Sequence, residues 1–510
     1  MKKFRKVLCF VMSVILAVCS VSLLAAAYDE TDKKSAAIFV DGIASSDLIN
    51  AETGETMFPP QAKPIIKAVN KVLPTLVSDI KKNDYSATAD IIADAVNPIF
   101  APIACDENGL PKVKTKIDYE YPDSDSIKAV INGTGEEKYI RFSYDWRLSV
   151  LSIADELHSF IEYVMKEGGL DSVSLIGFSM GTCVVMSYLK LYDYQYVDGV
   201  VLLAGGYNGV SCCGQPFADM LGFDSDAIVR YLEALLGDSF AGVGVKTLMR
   251  MLNVTGVLGR AVNIADSLTA EINDILYKDV FVKSFATMPG MWALIPLEYY
   301  EQAKDTVING FGFSDEYIKT IDRYHYEVQA DMENIINGIL DRGINFGIVS
   351  KYGFPNTPCI EDINSMADGV IDTRFSSFGA TCADVTETLG DNYVQKIDNG
   401  HDCVSPDNMI DASTCKFVDY TWFVKNSFHS NDMEYSTGLC LDILNADTQP
   451  TVWDFKYPEF NIMTKTGIEP LTLDNDLTLY TVSFEGDTVL SVLGRFIIDF
   501  KNAVKSAFGR

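Results

Sequence analysis

The stretch SVSLIGFSMGTCVVMSYLK (172–190) constrains the fold more than any other part of the chain. Val173, Leu175 and Ile176 make a short apolar run that reads as a buried strand, and apolar residues at helical spacing follow over 182–191. Between them stands Gly177-Phe178-Ser179-Met180-Gly181. A chain that turns this abruptly from strand to helix strains its middle residue and needs small neighbours on either side. The hydroxyl of that middle residue then stands clear of the sheet at a helix N-terminus, where partial positive charge favours a developing oxyanion. Ser179 is therefore the expected nucleophile.

Apolar runs at 36–40, 173–177 and 200–204 read as buried strands, with 139–143 and 344–350 as additions. Helical patterns at 153–164 and 182–191 lie between them, so a mainly parallel sheet covered by helices on both faces is expected. Sites in such sheets gather at the carboxyl ends of the strands. The alternation stops over 207–343, which is mostly helical and includes the apolar stretch FAGVGVKTLMRMLNVTGVLG (240–259). This predicts either a helical cap or lid, or an ordinary helical subdomain, inserted between an N-terminal half of the core, 28–206, and a C-terminal half, 344–450. A β-rich extension, 451–510, ends in an amphipathic pattern: Val489, Leu493, Phe496, Ile497, Phe500, Val504 and Phe508. Such a helix either docks onto its own domain or lies on a membrane.

An oxyanion needs two backbone donors. The amide of Met180, directly after the nucleophile, is one; the loop in AIFVDGIASSDL (37–48) supplies the other, and Ile43 is the choice. VDGIASSDL (40–48), then YDWRL (144–148), then GFSMG, in that order, resembles the lecithin:cholesterol acyltransferase and lysosomal phospholipase group of α/β hydrolases. ATMPGMWALIP (286–296) is similar to a segment of that family's cap. The sequence departs from the family pattern at Asp41, where the family has proline, and at Phe178, where it has histidine. The resemblance implies an α/β-hydrolase fold and ester chemistry on lipids, with the acyl group passing to water or to an alcohol. Asp145 and Arg147 read as a structural ion pair.

Four histidines narrow the search for a base. His158 falls in a helical pattern and His325 in the insertion, both as structural residues. His429 follows the strand-like YTWFVKN (420–426) and precedes a helical pattern, which is the expected layout of a histidine loop and the reason to prefer it. His401, after the weaker strand YVQKI (393–397), is the runner-up. Two segments share an Asp-x-x-Ile-Asp pattern and fit the acid: ADGVIDTRFSS (367–377) and SPDNMIDAST (405–414). Asp368 and Asp407, first in each, are where the resemblance implies the acid, and the sequence leaves the choice open. Asp372 and Asp411 read as turn or cap residues.

Lys2, Lys3, Arg5 and Lys6 precede an apolar run ending near Leu24, and Ala25-Ala26-Ala27 follows: residues 1–27 read as a secretory signal peptide. The length of that run leaves an uncleaved anchor open. The formal net charge of −29 argues against nucleic acid as partner. Of 11 cysteines, Cys9 and Cys19 fall in the leader; Cys382, Cys403 and Cys415 are close enough in sequence to suggest a bridge. No metal or organic cofactor is called for. The expected function is a secreted serine hydrolase, with lipid esters as substrate and a lipid interface as the setting. Small or carbohydrate-linked esters, and a non-catalytic surface binding protein on the same scaffold, are the alternatives.

Overall fold

The computed structural model describes residues 35–60, 101–220, 281–358 and 360–473, with scattered positions within 67–100 and 226–280. The leader, the pattern at 489–508, Cys359 and most of 240–259 lie outside the described residues.

Eight strands form one sheet: β1 (Ser35–Val40), β2 (Ile140–Phe142), β3 (Ser172–Phe178), β4 (Val197–Leu203), β5 (Asn345–Tyr352), β6 (Thr421–Lys425), β7 (Phe460–Thr464) and β8 (Gly467–Pro470). Their spatial order is β8-β7-β6-β5-β4-β3-β1-β2. Every neighbouring pair is parallel except β7–β8, a hairpin at one edge. Central strands covered on both faces bury consecutive side chains, which explains why they read as apolar runs rather than alternating ones. All eight residues of β5 are buried.

Helix α1 (Val150–Gly168) starts where the Ser149 side chain accepts from the Leu151 amide and stops at Gly169, in the left-handed region. Its Ile153, Leu157, Phe160, Ile161 and Val164 recur at helical spacing and pack into the main core beside α2 (Gly181–Tyr192). The chain from β4 to β5 carries α3 (Leu297–Phe311), α4 (Asp315–Arg323) and α5 (Met332–Asp341). Its described part is fastened to the core: the Gly290 amide donates to Arg147 O at 3.1 Å, and Tyr194 Oη to Ile335 O at 2.9 Å. Within it His325 is fully buried, its ring nitrogens 2.5 Å from Gln329 Oε1 and 3.0 Å from Trp292 O. Burial pushes its pKa down to about 4, so the ring is neutral. His158 stacks on Tyr192 with ring centroids 3.9 Å apart.

Two local expectations change. Residues 393–397 form no strand, because Val394 is 81 % exposed and the run has no apolar face to bury. Cys382, Cys403 and Cys415 pack in one apolar cluster as free thiols. Their sulfurs turn to different partners: Cys382 Sγ to Ala380 O and Cys403 Sγ to the Asn399 side chain. Asp145 and Arg147 pair at 2.6 Å, and Arg147 also donates to Ile103 O and Thr115, which ties the YDWRL loop to the residues before it. Among the described residues no helix is long and apolar enough to cross a membrane.

Candidate active site

Strand β3 ends at Phe178, and the next residue, Ser179, has φ 55°, the left-handed conformation that a side chain adopts only under constraint. The constraint is the crossing of the turn over β1. A Cβ on Gly181 would lie 2.1 Å from Val40 O and 2.5 Å from Asp41 O, so only glycine lets the helix start this close to β1. The Ser179 carbonyl is held by the Thr182 amide, the Thr182 hydroxyl and the Gly206 amide at 3.1, 2.6 and 3.1 Å.

Opposite the hydroxyl lies the loop after β6. His429 Nε2 is 3.0 Å from Ser179 Oγ, and His429 Nδ1 is 2.7 Å from Asp368 Oδ2. With the ring proton on Nδ1, imidazole donates to the carboxylate and accepts from the serine hydroxyl. The His429 amide donates to Asp368 O at 2.8 Å, which fixes the two loops to each other through backbone as well as side chain. Asp368 Oδ1 accepts from the amides of Val370 and Ile371 at 3.0 and 2.7 Å, so the carboxylate is oriented before it meets the ring. Ser179, His429 and Asp368 are all buried. Phe178 stacks on the imidazole with centroids 5.0 Å apart, giving a packing role to the residue that departs from the family pattern.

The other candidates lie elsewhere. Asp407 accepts from Lys425 Nζ at 2.8 Å, Tyr352 Oη at 3.1 Å and Ser405 Oγ at 2.5 Å, and makes no bond to His429. Its motif has the shape of an acid loop, but a buried lysine rather than an imidazole faces it. His401 is exposed and stacks on Trp453 at 4.0 Å. Asp372 caps no helix by side chain; it accepts from the Ser211 amide and hydroxyl at 2.9 and 2.7 Å, fastening the acid loop to the chain beyond β4.

Met180, directly after the serine, is the N-cap residue of α2, and Ile43 follows Gly42 in the loop after β1. That loop lies against the nucleophile: a Cβ on Gly42 would be 2.8 Å from Ser179 Cβ. Asp41 holds the loop. Arg141 Nε donates to its carboxylate at 2.8 Å and Arg141 Nη2 to Ser45 O at 2.6 Å, and the Ser143 hydroxyl also donates to it. Burial pushes the Asp41 carboxyl up to about 6, against the pull of Arg141 and Ser143. Lys351, the lone cation in the apolar run of β5, is the residue that pattern reading passes over; an unexplained charge in a fully buried strand is the available signal. Among the described residues no group of three or more His, Cys, Asp or Glu could hold a metal ion.

A mainly parallel sheet covered by helices, with a strained serine turn at the carboxyl end of a central strand, defines an α/β hydrolase. Within that class, the sequence model of the lecithin:cholesterol acyltransferase family matches residues 125–213, the segment holding YDWRL and the serine turn. The chain thus resembles that family, whose members point to hydrolase chemistry of the lipase and acyltransferase type. No curated protein matches the chain. Among solved structures, a chain of the Tle4–Tli4 complex is similar at 12% identity, over 63% of this chain and 75% of that one, with a TM-score of 0.23.

Proposed function

We propose that this protein is an exported serine esterase acting on lipid esters, with Ser179 as nucleophile, His429 as general base and acid, and Asp368 as the carboxylate that orients the ring. The hydrogen-bond chain from Asp368 Oδ2 through His429 to Ser179 Oγ carries this reading. Ser179 attacks the ester carbonyl as its proton passes to His429 Nε2, and Asp368 stabilises the imidazolium that forms. The amides of Met180 and Ile43 receive the oxyanion. His429 then protonates the leaving alcohol, and an acyl group remains on Ser179. Water, or an alcohol in its place, is deprotonated by His429 and releases the acyl group. The match at 125–213 supports lipid esters as the substrate class, and the leader-like residues 1–27 support export.

A fluorophosphonate probe tests the chemistry: it should label the wild-type protein at Ser179 and leave Ser179→Ala unlabelled. An ester series of rising chain length tests the substrate. Higher kcat/KM on long acyl chains supports a lipid esterase; preference for short, soluble or sugar-linked esters would replace that substrate class. Absence of any adduct at Ser179 would leave only a binding role.

A further inference from the structure

The histidine loop sits on a buried cation. Lys351, the seventh residue of β5, is wholly inaccessible to solvent, and its ammonium reaches 3.0 Å from His429 O, 2.9 Å from Asn431 O and 3.4 Å from Phe428 O. Among the described residues its hydrogen-bond partners are these carbonyls, together with the sulfur of Met433 at 4.0 Å. No carboxylate is within ion-pair distance of it among the described residues. Burying an ammonium without an ion-pair partner costs several kcal/mol in general, so a merely space-filling position would carry methionine or leucine. Three carbonyls from one four-residue stretch, 428–431, do, however, match the three N–H donors of an ammonium.

We infer that Lys351 is a positioning residue for the reaction: its buried ammonium gathers the carbonyls of Phe428, His429 and Asn431 and so holds the His429 imidazole between Ser179 and Asp368. This rests on the reading of Ser179, His429 and Asp368 as a catalytic triad. The loop has no regular secondary structure, since β6 ends at Lys425 and α6 (Met433–Leu444) begins at Met433. Phe428 O already accepts from the Asn431 amide at 2.9 Å and Asn431 O from the Ser427 hydroxyl at 3.5 Å, and Lys351 adds a donor to both carbonyls as well as to His429 O. The Asp368 carbonyl fixes the loop from the amide side of His429, and Lys351 from the carbonyl side. The ring is thereby held by its own peptide on both flanks. Asp368 on the acid loop, Asp432 on the histidine loop and the Cys440 thiol on α6 face the ammonium electrostatically. Burial lowers the Lys351 pKa to about 8, with the two aspartates opposing the shift. Above that pH the neutral amine has two N–H bonds and a lone pair for three carbonyls, and the loop is held less well.

Lys351→Ala and Lys351→Met test this against a purely structural role. Both should lower kcat and the rate of fluorophosphonate labelling by roughly 10- to 100-fold, the cost of small misplacements of a reacting group, with KM little changed. Propylammonium or butylammonium should restore activity to the alanine variant, and butanol should not. Normal kcat in either folded variant, or rescue by butanol as well as by the amines, would overturn the inference. Should neither variant fold, the wild-type profile decides: kcat should decline as pH rises through about 8, and in a folded Lys351→Arg variant, permanently charged, that decline should be absent. A wild-type kcat that stays level to pH 10 would equally overturn it. Labelling of Ser179 in the wild type is scored separately, so failure of the triad itself is told apart from failure of the Lys351 role.

Discussion

Asp368 and Asp407 stand in the same short motif, and their loops fold alike. Asp368 Oδ1 accepts from the amides of Val370 and Ile371, and Asp407 Oδ1 from that of Met409. What separates them is the group across the gap, an imidazole for one and the Lys425 ammonium for the other. Asparagine at each position should therefore act on different quantities. Asp368→Asn keeps the shape but presents an amide to His429 Nδ1, favouring the wrong tautomer, and kcat should fall by about 10⁴-fold with stability little altered. Asp407→Asn leaves Lys425 as an unpaired buried ammonium and should cost roughly 3–5 kcal/mol of stability. The folded fraction of that variant should turn over normally. Steady-state kinetics and urea unfolding on the two variants check this, and a matching loss of kcat in Asp407→Asn would return that residue to the site.

Among elements, the crossing of α2 over the end of β1 sets the serine turn. Gly181→Ala should force the two apart, costing about 1–3 kcal/mol or more by overpacking and slowing fluorophosphonate labelling. Gly438, in the middle of α6, is the control: a Cβ there meets nothing within 4 Å, so Gly438→Ala should stabilise by about 0.5–1 kcal/mol. Equal urea midpoints for the two variants would contradict the crowding account. The same elements show what a sequence can disclose. Buried parallel strands appear as apolar runs, and the turn between β3 and α2 appears as spaced glycines, because both constraints act within a few residues. The choice between Asp368 and Asp407, and the task of Lys351, depend on which loop lies over β5 and which over β6. Those are pairings across 61 residues for Asp368–His429 and 78 for Lys351–His429, and no local pattern encodes them. The run at 393–397 misleads for the converse reason: its composition reads as a strand, but Val394 and Ile397 stay exposed, and its backbone bonds to the side chains of Asp411 and Ser413 instead of to a strand.

At the scale of the whole molecule, a formal net charge of −29 makes self-repulsion grow with pH, and one buried acid adds to the effect. Glu459, just before β7, is 4 % exposed, and neither carboxyl oxygen has a hydrogen-bond partner among the described residues. Burial, with Asp402, Asp419 and Asp411 near by, raises its pKa from 4.5 to about 9. The folded chain therefore binds a proton here that the unfolded chain releases above about 4.5. Stability from this group is complete below that pH and is lost as pH rises through about 9. The loss has an upper bound on the order of several kcal/mol, since each tenfold difference in proton affinity between the folded and unfolded chain is worth about 1.4 kcal/mol. Glu459→Gln removes the titration while keeping the shape and changes the net charge by a single unit, so the remaining repulsion is nearly common to both proteins. Urea midpoints at pH 5, 7 and 9 should fall more steeply for the wild type, with the advantage of the glutamine variant widening at each step. Parallel curves would mean that Glu459 is ionised in the fold and that a cation or water satisfies it.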